Sequence, residues 1–104
     1  MVSCKITVLK KMFNRDLVDE YSRLELTDLC LGCHVFTVGE EFVVDDDNKI
    51  PEGFCAWAWS DILRDVNTIM YDGNYPWMKQ KGIAISCCSD GLMPVVFKIE
   101  KLNA

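Results

Sequence analysis

Six cysteines and a single histidine are the residues of this chain best suited to do chemistry. Cys30, Cys33 and His34 form a C-x-x-C-H motif, and Cys55 and Cys88 follow at separate places in the chain. Zinc and iron accept mixed sets of cysteine and histidine ligands, and a tetrahedral site needs four of them to converge from different segments. The residue types therefore predict a Cys/His metal site, with zinc or iron as the metal.

Three other interpretations of the motif stay open. C-x-x-C-H is also the spacing of covalent haem attachment, but the opening residues lack the pattern of an export signal, which disfavours haem. A C-x-x-C pair can cycle between dithiol and disulfide, although the thioredoxin type lies where a strand leads into a helix. Finally, free cysteines can simply pack as small hydrophobic residues.

The strand pattern separates structural cysteines from candidate ligands. Residues 4–9 alternate between apolar and polar positions, which predicts a half-buried strand with Cys4 on its buried face. In a second predicted strand, residues 83–88, Cys87 is in phase with two isoleucines, so we expect it in the core. Cys88 then points to the opposite face and is the better ligand candidate.

Hydrophobic periodicity predicts the elements that position these residues. Strands are expected over residues 4–9, 40–44, 83–88 and 93–101, helices over 15–23 and 55–70, and an ordered loop over 25–39. In the first helix Leu17, Val18 and Tyr21 form the apolar side, after Asn14 as N-cap. The second helix has a broad apolar stripe, with Asp61 and Asp65 on its polar side, where we expect both carboxylates in solvent.

These elements predict one α+β domain over residues 1–104, with about four mostly antiparallel strands and two helices packed on one face. Of the 104 residues 50% are hydrophobic, which excludes global disorder. The net charge of −5 disfavours nucleic acid and anionic membranes as partners, and no apolar run approaches the ~20 residues of a membrane span. The cysteine spacing does not suit a disulfide framework, so we expect a reduced cytoplasmic protein.

Three aromatic residues do not fit the predicted core-facing stripes. These are Trp57, Tyr75 and Trp77. Aromatic side chains are enriched in ligand pockets and in subunit interfaces, so the three predict either a small-molecule site or a surface for self-association. Since symmetric homo-oligomers are the commonest soluble assemblies, we expect this chain to associate with itself. The alternative is that these rings cover the core of a monomer.

The order of short motifs along the chain resembles that of a known family. The motifs are Cys30-x-x-x-His34, Gly-Glu-Glu-Phe, Pro-Glu-Gly-Phe-Cys55-x-Trp, Cys88-Ser-Asp-Gly and Pro-Val-Val-Phe. Together they resemble a family of small, functionally uncharacterised proteins common in anaerobic prokaryotes. The resemblance implies Cys30, His34, Cys55 and Cys88 as the site residues. Cys33 stands where the family pattern often has glycine, so it is a possible further ligand only through its place in the C-x-x-C motif. The resemblance implies no reaction, so it leaves open whether the protein is an enzyme.

Overall fold

In the computed structural model, residues 2–23 and 35–102 are described. The elements in chain order are β1 (Ser3–Lys11), α1 (Arg15–Tyr21), β2 (Glu41–Val44), α2 (Ala56–Met70), β3 (Ile83–Cys87) and β4 (Val95–Leu102). All neighbouring strands are antiparallel in one sheet of order β2-β1-β4-β3. The predicted α+β class is therefore confirmed. Over the same described ranges, no helix has the length and apolarity needed to cross a bilayer.

The core lies between one face of the sheet and the apolar stripe of α2. The helix residues that are buried include Ala58, Ile62, Val66, Ile69 and Met70. From the sheet, alternate residues of each strand contribute, among them Cys4, Ile6, Val8, Phe97 and Ile99, each exposed by 1% or less. Cys4 is thus a core residue, as predicted. Burial raises the pKa of its thiol to about 11 because the thiolate would lose its hydration.

Four phenylalanines close one end of this core. The ring of Phe36 lies 5.9 Å from that of Phe42, 4.9 Å from Phe54 and 5.1 Å from Phe97, in edge-on arrangements that aromatic pairs favour. The Pro51–Phe54 turn, closed by a 3.1 Å hydrogen bond from the Phe54 N–H to the Pro51 carbonyl, directs the chain from this cluster into α2.

The first helix is shorter and less buried than its sequence pattern suggests. Only Val18 is buried, whereas Leu17 is 39% exposed and Tyr21 is 76% exposed, so the apolar side of this helix is mostly exposed. Seven residues form about two turns, so little of the helix surface can reach the core. Asn14 precedes the helix as expected, but its side chain makes no capping bond; its amide donates to the Gly91 carbonyl at 2.7 Å.

The orientation of β3 also differs from expectation. Ala84 faces α2 and is 1% exposed, while Ile85 and Cys87 lie on the sheet face opposite α2 and are exposed. The expectation that Cys87 is a core residue was therefore wrong. The physical reason is that neither face of β3 carries a charged residue, so alternation shows which residues share a face without showing which face meets the helix. The small Ala84 side chain allows α2 to pack closely.

Asp65, which was expected in solvent on the polar side of α2, is buried. The residue is only 8% exposed, and its carboxylate accepts a 2.5 Å hydrogen bond from the Tyr75 hydroxyl. The Arg64 guanidinium lies 3.8 Å from the same carboxylate oxygen. The Tyr75 ring stacks on Trp77 with a centroid distance of 4.8 Å and an interplanar angle of 17°. The buried carboxylate thus anchors the loop that connects α2 to β3.

Candidate functional site

A pocket of about 270 Å³ lies between the start of α2 and the loop that follows β3. Its lining includes Cys55 and Cys88, two of the cysteines that the sequence singled out. One precedes the helix and the other follows the strand, so residues distant in sequence share one cavity only because α2 packs across β3 and β4. Both side chains are partly buried and pack against the hydrophobic core.

Cys55 is the N-cap residue of α2. Its backbone is extended, with φ −68° and ψ 126°, and its carbonyl accepts the first helical hydrogen bond from the Trp59 N–H at 2.9 Å. Its side chain makes no capping hydrogen bond. The sulfur is therefore not used to complete the helix.

Cys88 is held by the start of β4. Its backbone N–H donates to the Val95 carbonyl at 3.1 Å, and its Sγ accepts a hydrogen bond from the Val95 N–H at 3.3 Å. A hydrogen bond to a sulfur fixes its position, as outer-shell donors do for the ligands of metal sites. The neighbouring Cys87 lies on the other face of the sheet and does not line the pocket.

The pocket is acidic. Asp61 and Asp90 line it, and no described lining residue is basic. The Asp61 carboxylate accepts a 2.7 Å hydrogen bond from the Ser89 N–H, which ties the loop after β3 to α2. Negative charge of this kind favours a cation in the cavity over an anionic ligand.

The other predicted ligands, Cys30, Cys33 and His34, lie outside the described residues. Phe36, two positions after His34 in the sequence, is described and lines the pocket. Within residues 2–23 and 35–102, no group of three or more His, Cys, Asp or Glu side chains is arranged to hold a metal. The described part of the chain therefore brings together two of the four predicted ligands, and the convergence of all four stays a prediction.

The three unassigned aromatic residues occupy two different places. Trp57 is 84% exposed and lines the pocket with the two cysteines. Tyr75 and Trp77 border a second depression, on the side of α2 that carries Asp65, and Ile85 lines it as well. The three residues therefore do not line one shared pocket, which was one of the two interpretations of this set.

Asp61 lines the pocket but was not predicted as a site residue. Its carboxylate was expected in solvent, because the helix pattern places Asp61 opposite the apolar stripe. A usable signal was present, since Trp57 and Asp61 are four residues apart and so lie on the same side of a helix, next to the Cys55 end.

Comparison with known proteins does not identify the chain: no protein-family model, no curated protein and no solved structure matches it.

Proposed function

We propose that the pocket beside Cys55 and Cys88 is a metal centre, with Cys30 and His34 as its remaining ligands. The observation that carries this proposal is that two cysteines from separate elements line one acidic cavity with no described basic residue. The four-residue set is also the one that the family resemblance implies. Four ligands of this composition suit a tetrahedral zinc site, and iron is the second candidate.

The arrangement of the other described cysteines agrees with this assignment. Cys4 is fully buried, and burial raises its thiol pKa to about 11, which opposes the thiolate form that metals bind. Cys87 is exposed and lies on the sheet face opposite α2. Among the four described cysteines, all of them free, Cys55 and Cys88 are thus the pair that shares a cavity.

Elemental analysis of anaerobically purified protein tests the proposal. We expect about one equivalent of zinc or iron per chain. Cys55→Ser and Cys88→Ser should each lower the bound metal severalfold, and so should Cys30→Ser and His34→Ala. Cys87→Ser is the matched control, since it removes a neighbouring thiol on the opposite face of the sheet and should leave the metal content unchanged. Less than about a tenth of an equivalent in the wild-type protein, with all thiols titrating as free, would refute a metal centre.

We propose self-association as a second property of the chain. The observation that favours it is the exposure of two large indole side chains, since Trp57 is 84% and Trp77 is 74% exposed. Exposed apolar groups of this size usually mark an interaction surface. Light scattering at micromolar concentration gives the mass directly: a value that remains at the 11.9 kDa of one chain would contradict association.

We also propose that the protein works in the cytoplasm with reduced thiols. The support is that the four described cysteines are free and that their spacing does not suit a disulfide framework. Mass spectrometry of protein alkylated in intact cells, without reductant, should show free thiols. Three stable disulfides in that experiment would contradict this location.

A further inference from the structure

The outer edge of β3 presents backbone groups in a pattern that a second strand can use. In antiparallel pairs, residues alternate between those that hydrogen-bond to the neighbouring strand and those whose N–H and C=O point away from it. Two bonds flanking the β3–β4 ladder set the phase: the Cys88 N–H donates to Val95, and the Lys101 N–H donates to the Gly82 carbonyl. The even-numbered residues of β3 therefore bond to β4.

It follows that the N–H and C=O groups of Ile83, Ile85 and Cys87 point to the open edge of the sheet. No hydrogen bond among the described residues reaches these groups. Their side chains share the sheet face opposite α2, where Ile85 is 49% exposed. An edge of this kind, with free backbone groups and apolar side chains, is a template for strand addition.

The opposite edge of the sheet is protected against such pairing. The edge strand there is β2, which begins at Glu41, follows Glu40 and leads into Asp45, Asp46 and Asp47. Two copies meeting along this edge would bring like charges together. In contrast, β3 contains no charged residue. In a chain of net charge −5, it is the sheet edge at which two copies can approach with least repulsion.

The two ends of the β3 edge carry opposite charge. Lys79 and Lys81 are exposed just before the strand, and Asp90 is exposed just after it. A second copy in antiparallel orientation would place the basic end of its β3 beside the acidic end of the first β3. The two-fold axis repeats this contact at the other end, with the roles of the two copies exchanged. A parallel arrangement would instead place like charges side by side. The charge pattern therefore favours a second copy of this chain as the partner, related by two-fold symmetry.

We infer that two copies of the chain pair along β3 in antiparallel orientation, with Ile85 opposite Ile85 of the partner subunit at the two-fold axis. In this register Ile83 lies opposite Cys87 of the partner subunit, so all three outward-facing residues form pairs. About six backbone hydrogen bonds join the copies into one continuous eight-stranded sheet. The inference rests on the self-association proposed above and is independent of any metal in the pocket.

Trp77 borders the same edge, because it lines depressions together with Ile85 and with Ile83. Its indole is 74% exposed in the single chain, and strand pairing at this edge would bring it close to the partner. The exposed tryptophan and the free edge strand are thus parts of one surface.

The test compares two substitutions that are alike except for the edge they occupy. Ile85→Glu and Val43→Glu each place a carboxylate on the sheet face opposite α2, at positions 49% and 51% exposed. In both variants the new side chain lies opposite a lysine of the neighbouring strand, Lys98 for Ile85 and Lys5 for Val43. We expect Ile85→Glu to raise the dimer dissociation constant by about tenfold or more, because two carboxylates then oppose each other at the axis, and Val43→Glu to leave it unchanged.

A cross-linking variant tests the register. Ile83→Cys places a thiol opposite Cys87 of the partner subunit, at the spacing of about 5.5 Å that a disulfide can bridge. Within one chain the two positions are separated by about 13 Å along the strand, so they cannot bridge each other. Mild oxidation should therefore yield a covalent dimer on a non-reducing gel, and Cys87→Ser in the same background should prevent it.

The outcomes separate the two proposals. A wild-type protein that stays monomeric up to about 100 μM overturns both self-association and its placement on β3. A dimer that tolerates Ile85→Glu and does not cross-link through Ile83→Cys overturns the β3 edge while leaving self-association standing. A dimer weakened equally by Val43→Glu would move the contact from the edge to the sheet face and also overturn the inference.

Discussion

The hydrogen bond between Tyr75 and Asp65 is expected to contribute measurably to stability. Tyr75→Phe removes the hydroxyl that donates to the buried carboxylate at 2.5 Å and keeps the ring that stacks on Trp77. A hydrogen bond to a charged group contributes about 1.5–3 kcal/mol to stability, and removing the donor leaves the buried carboxylate without that partner. The remaining ion pair with Arg64 compensates little, because the Arg64 side chain is 86% exposed and such pairs contribute at most about 1 kcal/mol.

The corresponding change in melting temperature follows from the size of the chain. An unfolding entropy of about 2.1 cal/mol/K per residue gives about 0.22 kcal/mol/K for 104 residues. Tyr75→Phe should therefore lower the melting temperature by about 7–14 °C, measured by circular dichroism at pH 7 and checked by urea unfolding. Tyr71→Phe is the matched control, since Tyr71 is 61% exposed, and it should change the melting temperature little. A decrease of less than about 2 °C for Tyr75→Phe would show that the bond does not stabilise the fold.

Two further predictions concern the core and the end of α2. Because burial raises the pKa of Cys4 from 9.0 to about 11, the unfolded chain loses this thiol proton first, so stability is retained below pH 9 and falls as the pH rises toward 11. At pH 10 the loss should be about 1.4 kcal/mol, and denaturant titrations of Cys4→Ala should lack this part of the pH dependence; an unchanged slope would contradict it. A Cβ at Gly73 would lie 2.8 Å from the Thr68 carbonyl oxygen and 2.6 Å from its methyl group, so Gly73→Ala should destabilise the protein by about 1–3 kcal/mol. Gly91→Ala, with no atom within 4 Å of the added Cβ, should leave the free energy of unfolding within about 0.5 kcal/mol of the wild type, and equal effects of the two substitutions would refute the steric argument.

Much of the fold could be predicted because its signals are local. The period of α2 and the alternation of β1 are repeated over enough residues to identify each element and its buried side. The predicted helix over 55–70 differs from the observed Ala56–Met70 only at the N-cap. The bounds of β3 and β4 were each displaced by one or two residues, since strand ends depend on the partner strand.

The candidate site could be predicted only in part. The types of Cys55 and Cys88 marked them as ligand candidates, and the proximity of the two required the packing of α2 against the sheet. Cys88 was selected over Cys87 on the premise that the Ile85 face is the core face. The selection agrees with the pocket lining, but the premise was wrong, since the Ile85 face is turned away from α2.

The sequence by itself determined the element order, the α+β class and the burial of Cys4, because periods of 2.0 and 3.6 residues relate each side chain to its near neighbours. The tertiary structure alone decided which face of β3 meets α2, whether Asp65 is solvated, and which cysteines share a cavity. Those properties depend on contacts between residues far apart in sequence. Asp65 lies on the polar side of its helix by pattern, yet it is buried because the loop carrying Tyr75 folds back over it. No local period contains that contact, since it forms only when the loop, the helix and the sheet are assembled together.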